Sequence, residues 1–153
     1  MIKWGIIGLG NMGQKFASAI AETSNSDVAG VASLDKNKIE NFINKYKYDN
    51  TKIYNNYDEI IKDKNINAIY IATLNNTHFE LIKKCSENNK NILCEKPFTL
   101  NFDEAKKVAN YISKNNINFY EAFAYRSHPQ TKIIQEIIEN NELGELTNIQ
   151  SSF

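Results

Sequence analysis

An excess of charge of either sign is missing from this 153-residue chain, in which eighteen basic side chains stand against eighteen acidic ones. Nucleic acids and anionic membranes are bound through surplus positive charge, so neither is an expected partner and any ligand must be held by local groups. Cysteine is scarce. Cys85 and Cys94 lie in a helical and a strand-like pattern, without paired spacing or metal-type companions. That excludes a disulfide framework and a metal site from the reading, and points to buried thiols in a reducing compartment. Long apolar runs are also absent: Ile2 to Leu9 is too short for a membrane span and lacks a charged leader and a small-residue cleavage site. The expectation is a soluble, cytoplasmic protein. Arginine is nearly missing, with seventeen lysines but only Arg126. A lone arginine marks a place where lysine cannot imitate its planar fork of donors.

What is present is a regular alternation. At this length and 42% apolar content one core is expected, burying about two thirds of the unfolded chain's surface. Strand-like runs at Lys3–Ile7, Val28–Ser33, Lys52–Tyr54, Ala68–Thr73, Asn91–Glu95 and Asn118–Phe123 alternate with helical patterns. The helices are expected at Met12–Thr23, Lys36–Tyr46, Tyr57–Lys62, Thr77–Asn88, Phe102–Lys114 and Pro129–Asn140. Runs such as Ala68-Ile69-Tyr70-Ile71-Ala72 are continuously apolar, which implies a sheet covered on both faces. The fold class is therefore α/β, a doubly wound parallel sheet of Rossmann type in three αβα layers. Residues 1–145 form this domain. Leu143-Gly144-Glu145 reads as a helix stop, and Leu146–Phe153 as the first strand of a second domain absent from the chain.

The segment Gly8-Leu9-Gly10-Asn11-Met12-Gly13 is a G-x-G-x-x-G between an apolar strand and an amphipathic helix. Gly8 permits the tight turn, Gly10 lets the backbone approach a pyrophosphate, and Gly13 lets helix and strand pack closely. The free amides at Asn11 and Met12 supply the anion site. The tip of the second strand decides between NAD and NADP, and both stay open. Ser33 occupies the position of the acid that binds a 2′-hydroxyl; Leu34 follows, and Lys36 and Lys38 are placed to meet a 2′-phosphate, which leans to NADP. Asp35 either contacts the ribose or caps the next helix.

Two further segments end apolar strands where ligands bind in open α/β sheets: Ala72-Thr73-Leu74-Asn75-Asn76-Thr77-His78 and Cys94-Glu95-Lys96-Pro97-Phe98. The order of G-x-G-x-x-G, A-T-x-N-x-x-H and E-K-P, followed by Glu121-Ala122-Phe123-Ala124-Tyr125-Arg126-Ser127-His128-Pro129, resembles the Gfo/Idh/MocA oxidoreductases over essentially the whole chain. The branch that includes dihydrodiol and xylose dehydrogenases is the most similar. The resemblance implies a Rossmann domain followed by a larger α+β domain, assembly as a homo-oligomer, and hydride transfer between nicotinamide and a sugar, polyol or related alcohol. It also implies that Lys96 is the catalytic lysine touching the reacting oxygen. Thr73, Asn75, His78, Glu95, Lys96 and Arg126 would lie at the cofactor, and the Lys96–Pro97 bond would be cis. Leu74 departs from the pattern, where the family commonly has Pro. The proton-transferring His, Tyr or Asp of such enzymes belongs to the second domain. Two readings therefore stand: a partial enzyme without its substrate domain, or a stand-alone nucleotide-binding module.

Overall fold

The computed structural model describes residues 1–46 and 51–152. Strands and helices alternate along the chain as β1 (Ile2–Ile7), α1 (Asn11–Ala21), β2 (Ser26–Ala32), α2 (Lys36–Tyr46), β3 (Lys52–Tyr54) and α3 (Tyr57–Lys62). They continue as β4 (Ala68–Ile71), α4 (His78–Glu87), β5 (Asn91–Cys94), α5 (Phe102–Asn115), β6 (Phe119–Glu121) and α6 (Pro129–Glu139). Helix starts follow capping chemistry. The Asn56 and Asn101 side chains accept the amides of Glu59 and Glu104 at 3.0 and 2.9 Å, opening α3 and α5. Acids in both first turns oppose the positive end of the helix dipole.

All pairings are parallel, in the order β3-β2-β1-β4-β5-β6. The chain builds outward from β1 to β3, then crosses back to place β4 on the other side of β1. This reversal creates a crevice at the carboxyl ends of β1 and β4, where ligands bind in such sheets.

Side-chain alternation divides the core into two layers. Ile6 and Tyr70 pack with Ala17 and Ile20 of α1 and Phe42 of α2. Ile7, Ile69 and Ile71 point the other way, toward Ile60 and Ile61 of α3, Leu81 and Ile82 of α4 and Val108 of α5. Each fully buried isoleucine is worth about 1.5–3 kcal/mol, so the sheet needs helices on both faces, and the three αβα layers result. Both cysteines are buried and free, and burial pushes the Cys85 thiol up to about 12. No helix among the described residues is long and apolar enough to cross a membrane.

The described residues divide into two compact units, one ending at Ala122 and one beginning at Phe123. In the second unit, α6 starts with Pro129 in its first turn, and His128 Nδ1 accepts the Gln130 amide at 3.2 Å. The strand expected from Leu146 is not formed. Residues 146–152 carry no regular secondary structure, because no strand among the described residues offers them a hydrogen-bonding ladder. Phe153, the end of that expected strand, lies outside the described residues. The remaining elements fall within a few residues of expectation; β6 is the most shortened, Phe119–Glu121 in place of Asn118–Phe123.

Candidate functional site

Ladder hydrogen bonds run past the strand ends and bring several loops into register. Gly8 donates to the Ala32 carbonyl at 2.9 Å, Ala72 to Ile7 at 2.8 Å, Glu95 to Ile71 at 2.9 Å and Ala122 to Cys94 at 2.8 Å. The glycine loop, the Thr73–His78 segment, the Lys96 turn and the end of β6 therefore share one edge of the sheet.

Gly8 has φ +94°, a left-handed conformation that favours glycine, and a Cβ there would meet the Ala72 carbonyl oxygen at 2.5 Å. At Gly13 a Cβ would overlap the Gly8 carbonyl oxygen, so β1 and α1 approach more closely than any side chain allows. Gly10 differs. A Cβ built there meets no atom within 4 Å, so the space above the loop is open. Gly10 is also the N-cap of α1, no side chain caps that end, and its first turn carries no acid. Asn11 and Met12 are exposed beside it. An uncapped positive helix end under open space has the chemistry a diphosphate requires.

At the tip of β2, the Ser33 hydroxyl accepts the Asp35 amide at 3.2 Å. Asp35 Oδ1 accepts the amides of Asn37 and Lys38 at 3.0 and 3.4 Å, which makes it a helix cap for α2. Of the two roles considered for Asp35, the structure takes the capping one. Lys38 Nζ lies 3.8 Å from Asp35 Oδ2, with both groups about half exposed, a weak surface pair that leaves the ammonium available. Leu34 is exposed between Ser33 and Asp35.

After β4, a 3₁₀ turn at Asn75–Thr77 leads into α4. Thr77 donates its hydroxyl to the Leu74 carbonyl at 2.7 Å, so in the 2.6 Å contact between Thr73 and Thr77 the donor is Thr73. Asn75 is exposed, as a ligand contact needs. His78 is placed otherwise. It is 0% exposed, with Nδ1 2.9 Å from the Pro97 carbonyl oxygen and Nε2 3.2 Å from that of Thr73. A side chain without exposed surface cannot touch a cofactor, so its expected role at the nicotinamide side is corrected to one of tying the Thr73 and Pro97 loops together. A carbonyl oxygen can only accept, so the ring nitrogen is the donor in the 2.9 Å contact with Pro97.

Glu95 is likewise nearly buried and accepts the Tyr70 hydroxyl at 2.6 Å. Lys96 is exposed at the same edge, and the bond that follows it to Pro97 is cis. Arg126 is exposed in a 3₁₀ turn, Ala124–Ser127, of the second compact unit. Sequence reasoning missed Tyr70 and Glu121 as supports. Tyr70 carries the one hydroxyl within an otherwise aliphatic strand, and Glu121 is an acid at a strand's carboxyl end; both signals were available.

Comparison with known proteins decides the family. The Gfo/Idh/MocA model, described as an oxidoreductase family with an NAD-binding Rossmann fold, matches residues 2–123. The chain belongs to this family. Among curated relatives, trans-1,2-dihydrobenzene-1,2-diol dehydrogenase of Xenopus tropicalis is 30% identical over 153 residues, covering 99% of this chain and 46% of that protein. D-xylose 1-dehydrogenase (NADP(+)) 2 of Haloferax volcanii is 28% identical, with 98% of this chain and 45% of the relative covered. The scyllo-inositol dehydrogenase of Lactobacillus casei, solved with NAD(H) and scyllo-inositol, superposes with a TM-score of 0.88 at 20% identity. That match spans 96% of this chain and 43% of the other, and establishes the shared fold. The chain spans about half the length of the curated relatives it matches. This Gfo/Idh/MocA chain is thus an NAD-binding Rossmann domain of an oxidoreductase family, and its open, uncapped glycine loop fits the diphosphate of such a cofactor.

Proposed function

We propose that this chain is the cofactor-binding half of a nicotinamide-dependent oxidoreductase acting on a sugar, polyol or related alcohol. The observation that carries the reading is the uncapped end of α1 beneath open space at Gly10, beside the β1–β4 crevice. Asn11 and Met12 hold the diphosphate through free backbone amides of the first turn, while Gly8 makes the tight turn, Gly10 leaves the approach open and Gly13 allows the close packing of α1 on β1. Ser33, Leu34 and Lys38 surround the adenosine ribose. Ser33 in place of an acid, Asp35 occupied as a cap and the available Lys38 ammonium favour NADP over NAD. The NADP(+) named for the Haloferax volcanii relative agrees with that preference.

A bound nicotinamide supplies or accepts the hydride. Lys96, exposed at the same edge, donates from its ammonium to the substrate oxygen and stabilises charge as it develops there. Thr73 and Asn75 line the approach, with Glu95 and Arg126 as supporting family positions. Proton transfer to or from the hydroxyl requires a further group, which this reading places on a second, substrate-binding domain. The coverage of under half of each relative supports that division. Homo-oligomeric assembly and a cytoplasmic location, in keeping with the two free thiols, belong to the same reading.

The test is a fluorescence titration of the chain with NADH and NADPH, repeated on Gly10→Val. The wild type should bind, and the variant should lose at least about tenfold in affinity, because its side chain fills the space the diphosphate needs. Tight binding by the variant would overturn the reading. Lys96→Ala should leave cofactor affinity within about threefold while removing turnover from any version of the enzyme that contains the second domain.

A further inference from the structure

Two side chains from different elements grip a single peptide unit, the one that joins Pro97 to Phe98. His78 Nδ1, at the start of α4, donates to its carbonyl oxygen at 2.9 Å. Glu121 Oε1, at the end of β6, accepts its amide proton, with nitrogen and oxygen 3.1 Å apart. The same strand makes a second contact with this turn: the Phe98 and Phe119 rings meet edge to face with centroids 5.3 Å apart. Phe119 and Glu121 are two residues apart on β6 and therefore project from one face of the sheet. The register that places them is fixed by the ladder pairing of Cys94 with Glu121.

The gripped unit lies one residue beyond Lys96. A lysine has four rotatable bonds, and an exposed one gains positional accuracy only from the backbone that carries it. The G-x-G-x-x-G loop does not require an acid at the end of β6. Neither does packing account for it, because a carboxylate half-buried at a strand end is favourable only where a donor meets it.

We propose that Glu121 is a positioning residue for Lys96: with His78 on the opposite side of the Pro97–Phe98 peptide, it fixes the direction in which the lysine leaves the sheet edge. The inference rests on the reading of Lys96 as the residue that meets cofactor and substrate. Glu121 itself touches neither. Its removal should leave the diphosphate cradle intact and disturb only the lysine.

The experiment uses the 153-residue chain labelled with [6-13C]lysine, the Lys96 resonance being assigned by its loss in Lys96→Arg. NADH is the probe. In the wild type the Lys96 Cε resonance should move on saturation, and the Phe98 amide should be protected from hydrogen exchange. In Glu121→Ala, Phe98 should exchange at least about tenfold faster and the Lys96 response should fall by half or more, with NADH affinity within about threefold of wild type. Glu121→Gln keeps an acceptor oxygen in place and should restore both signals. Glu121→Asp withdraws that oxygen by one methylene and should behave like the alanine variant, which keeps the test available if the alanine chain does not fold. A Lys96 response that persists in Glu121→Ala or Glu121→Asp overturns the positioning role alone. If the wild-type Lys96 resonance ignores NADH while the chain binds it, the reading of Lys96 fails, and the proposal falls with it.

Discussion

The Tyr70 hydroxyl donates to Glu95 Oε1 over 2.6 Å, joining the middle of β4 to the residue that precedes Lys96. Both groups are nearly buried, and burial together with the Glu95 carboxylate pushes the Tyr70 hydroxyl well above the ordinary phenol range. Tyr70→Phe keeps the ring against Phe16, whose centroid is 4.2 Å away, and removes only the proton donor. The remaining carboxylate is left without its partner, at an expected cost of about 1–3 kcal/mol in urea unfolding at neutral pH. Because the folded-state value is raised above the unfolded one near 10, the contribution is complete below about pH 10 and is lost as pH rises beyond it. An unchanged midpoint in the phenylalanine variant would show that water or another donor serves Glu95 equally well.

The three loop glycines make separable contributions. Gly13→Ala forces a methyl group into the Gly8 carbonyl oxygen, so the chain should lose about 1–3 kcal/mol of stability whether or not a cofactor is present. Gly10→Ala meets open space at φ −72°, a value any residue adopts, and should leave stability unchanged or raised by a few tenths of a kcal/mol. Its effect appears in binding, where the added methyl group narrows the approach to the diphosphate and NADH affinity should fall. Thermal unfolding and NADH titration on the two variants check the pair. Equal stabilities, or a Gly10→Ala chain that binds as well as wild type, would separate the glycine pattern from cofactor binding.

Much of this arrangement was legible because local and tertiary signals agree. The run Ala68 to Ala72 announces a strand buried on both faces, and the structure divides it between the two cores, Ile69 and Ile71 to one and Tyr70 to the other. Asp35 could be read as ribose ligand or cap, and only coordinates reveal that its carboxylate is taken up by two α2 amides. His78 misled for a physical reason: a histidine beside a ligand edge has the same sequence pattern whether its ring faces the ligand or the protein. Burial and two carbonyl partners distinguish these cases, and neither is encoded in spacing. Residues 146–152 form no ladder among the described residues, because a strand-like pattern describes a segment's willingness to pair, whereas a strand also needs a partner.

Acid should expose a second network, centred on Asp63. The Tyr54 hydroxyl donates to Asp63 Oδ2 at 2.6 Å, the Asn65 amide to Oδ1 at 2.8 Å, and Lys52 Nζ lies 3.2 Å away. The Tyr54 hydroxyl, then the Asn65 amide and the lysine, hold the Asp63 carboxyl well below the usual carboxylate range. A folded-state value depressed below the unfolded one near 3.9 gives stability that is complete above about pH 4 and is lost as pH falls through the folded value. Asp63→Asn should therefore be less stable than wild type at pH 7, with the difference shrinking below about pH 4. Urea unfolding followed by circular dichroism across that range measures it. A difference independent of pH would mean that the carboxylate's charge plays no part in the network.

Under the proposed function, cofactor preference turns on Ser33. The tip of β2 carries a hydroxyl, Asp35 Oδ1 is taken up by the amides of α2, and the Lys38 ammonium stands half exposed nearby. Ser33→Asp places an acceptor where a 2′-hydroxyl can donate to it and where a 2′-phosphate is repelled. The ratio of NADPH to NADH dissociation constants should rise by about tenfold or more, mainly through loss of NADPH affinity. Lys38→Ala should move the ratio the same way by a smaller factor, and added salt should weaken NADPH binding more in wild type than in that variant, since an exposed ion pair is screened. If Ser33→Asp leaves the ratio unchanged, the ribose lies away from the tip of β2, and selectivity must come from another element of the chain.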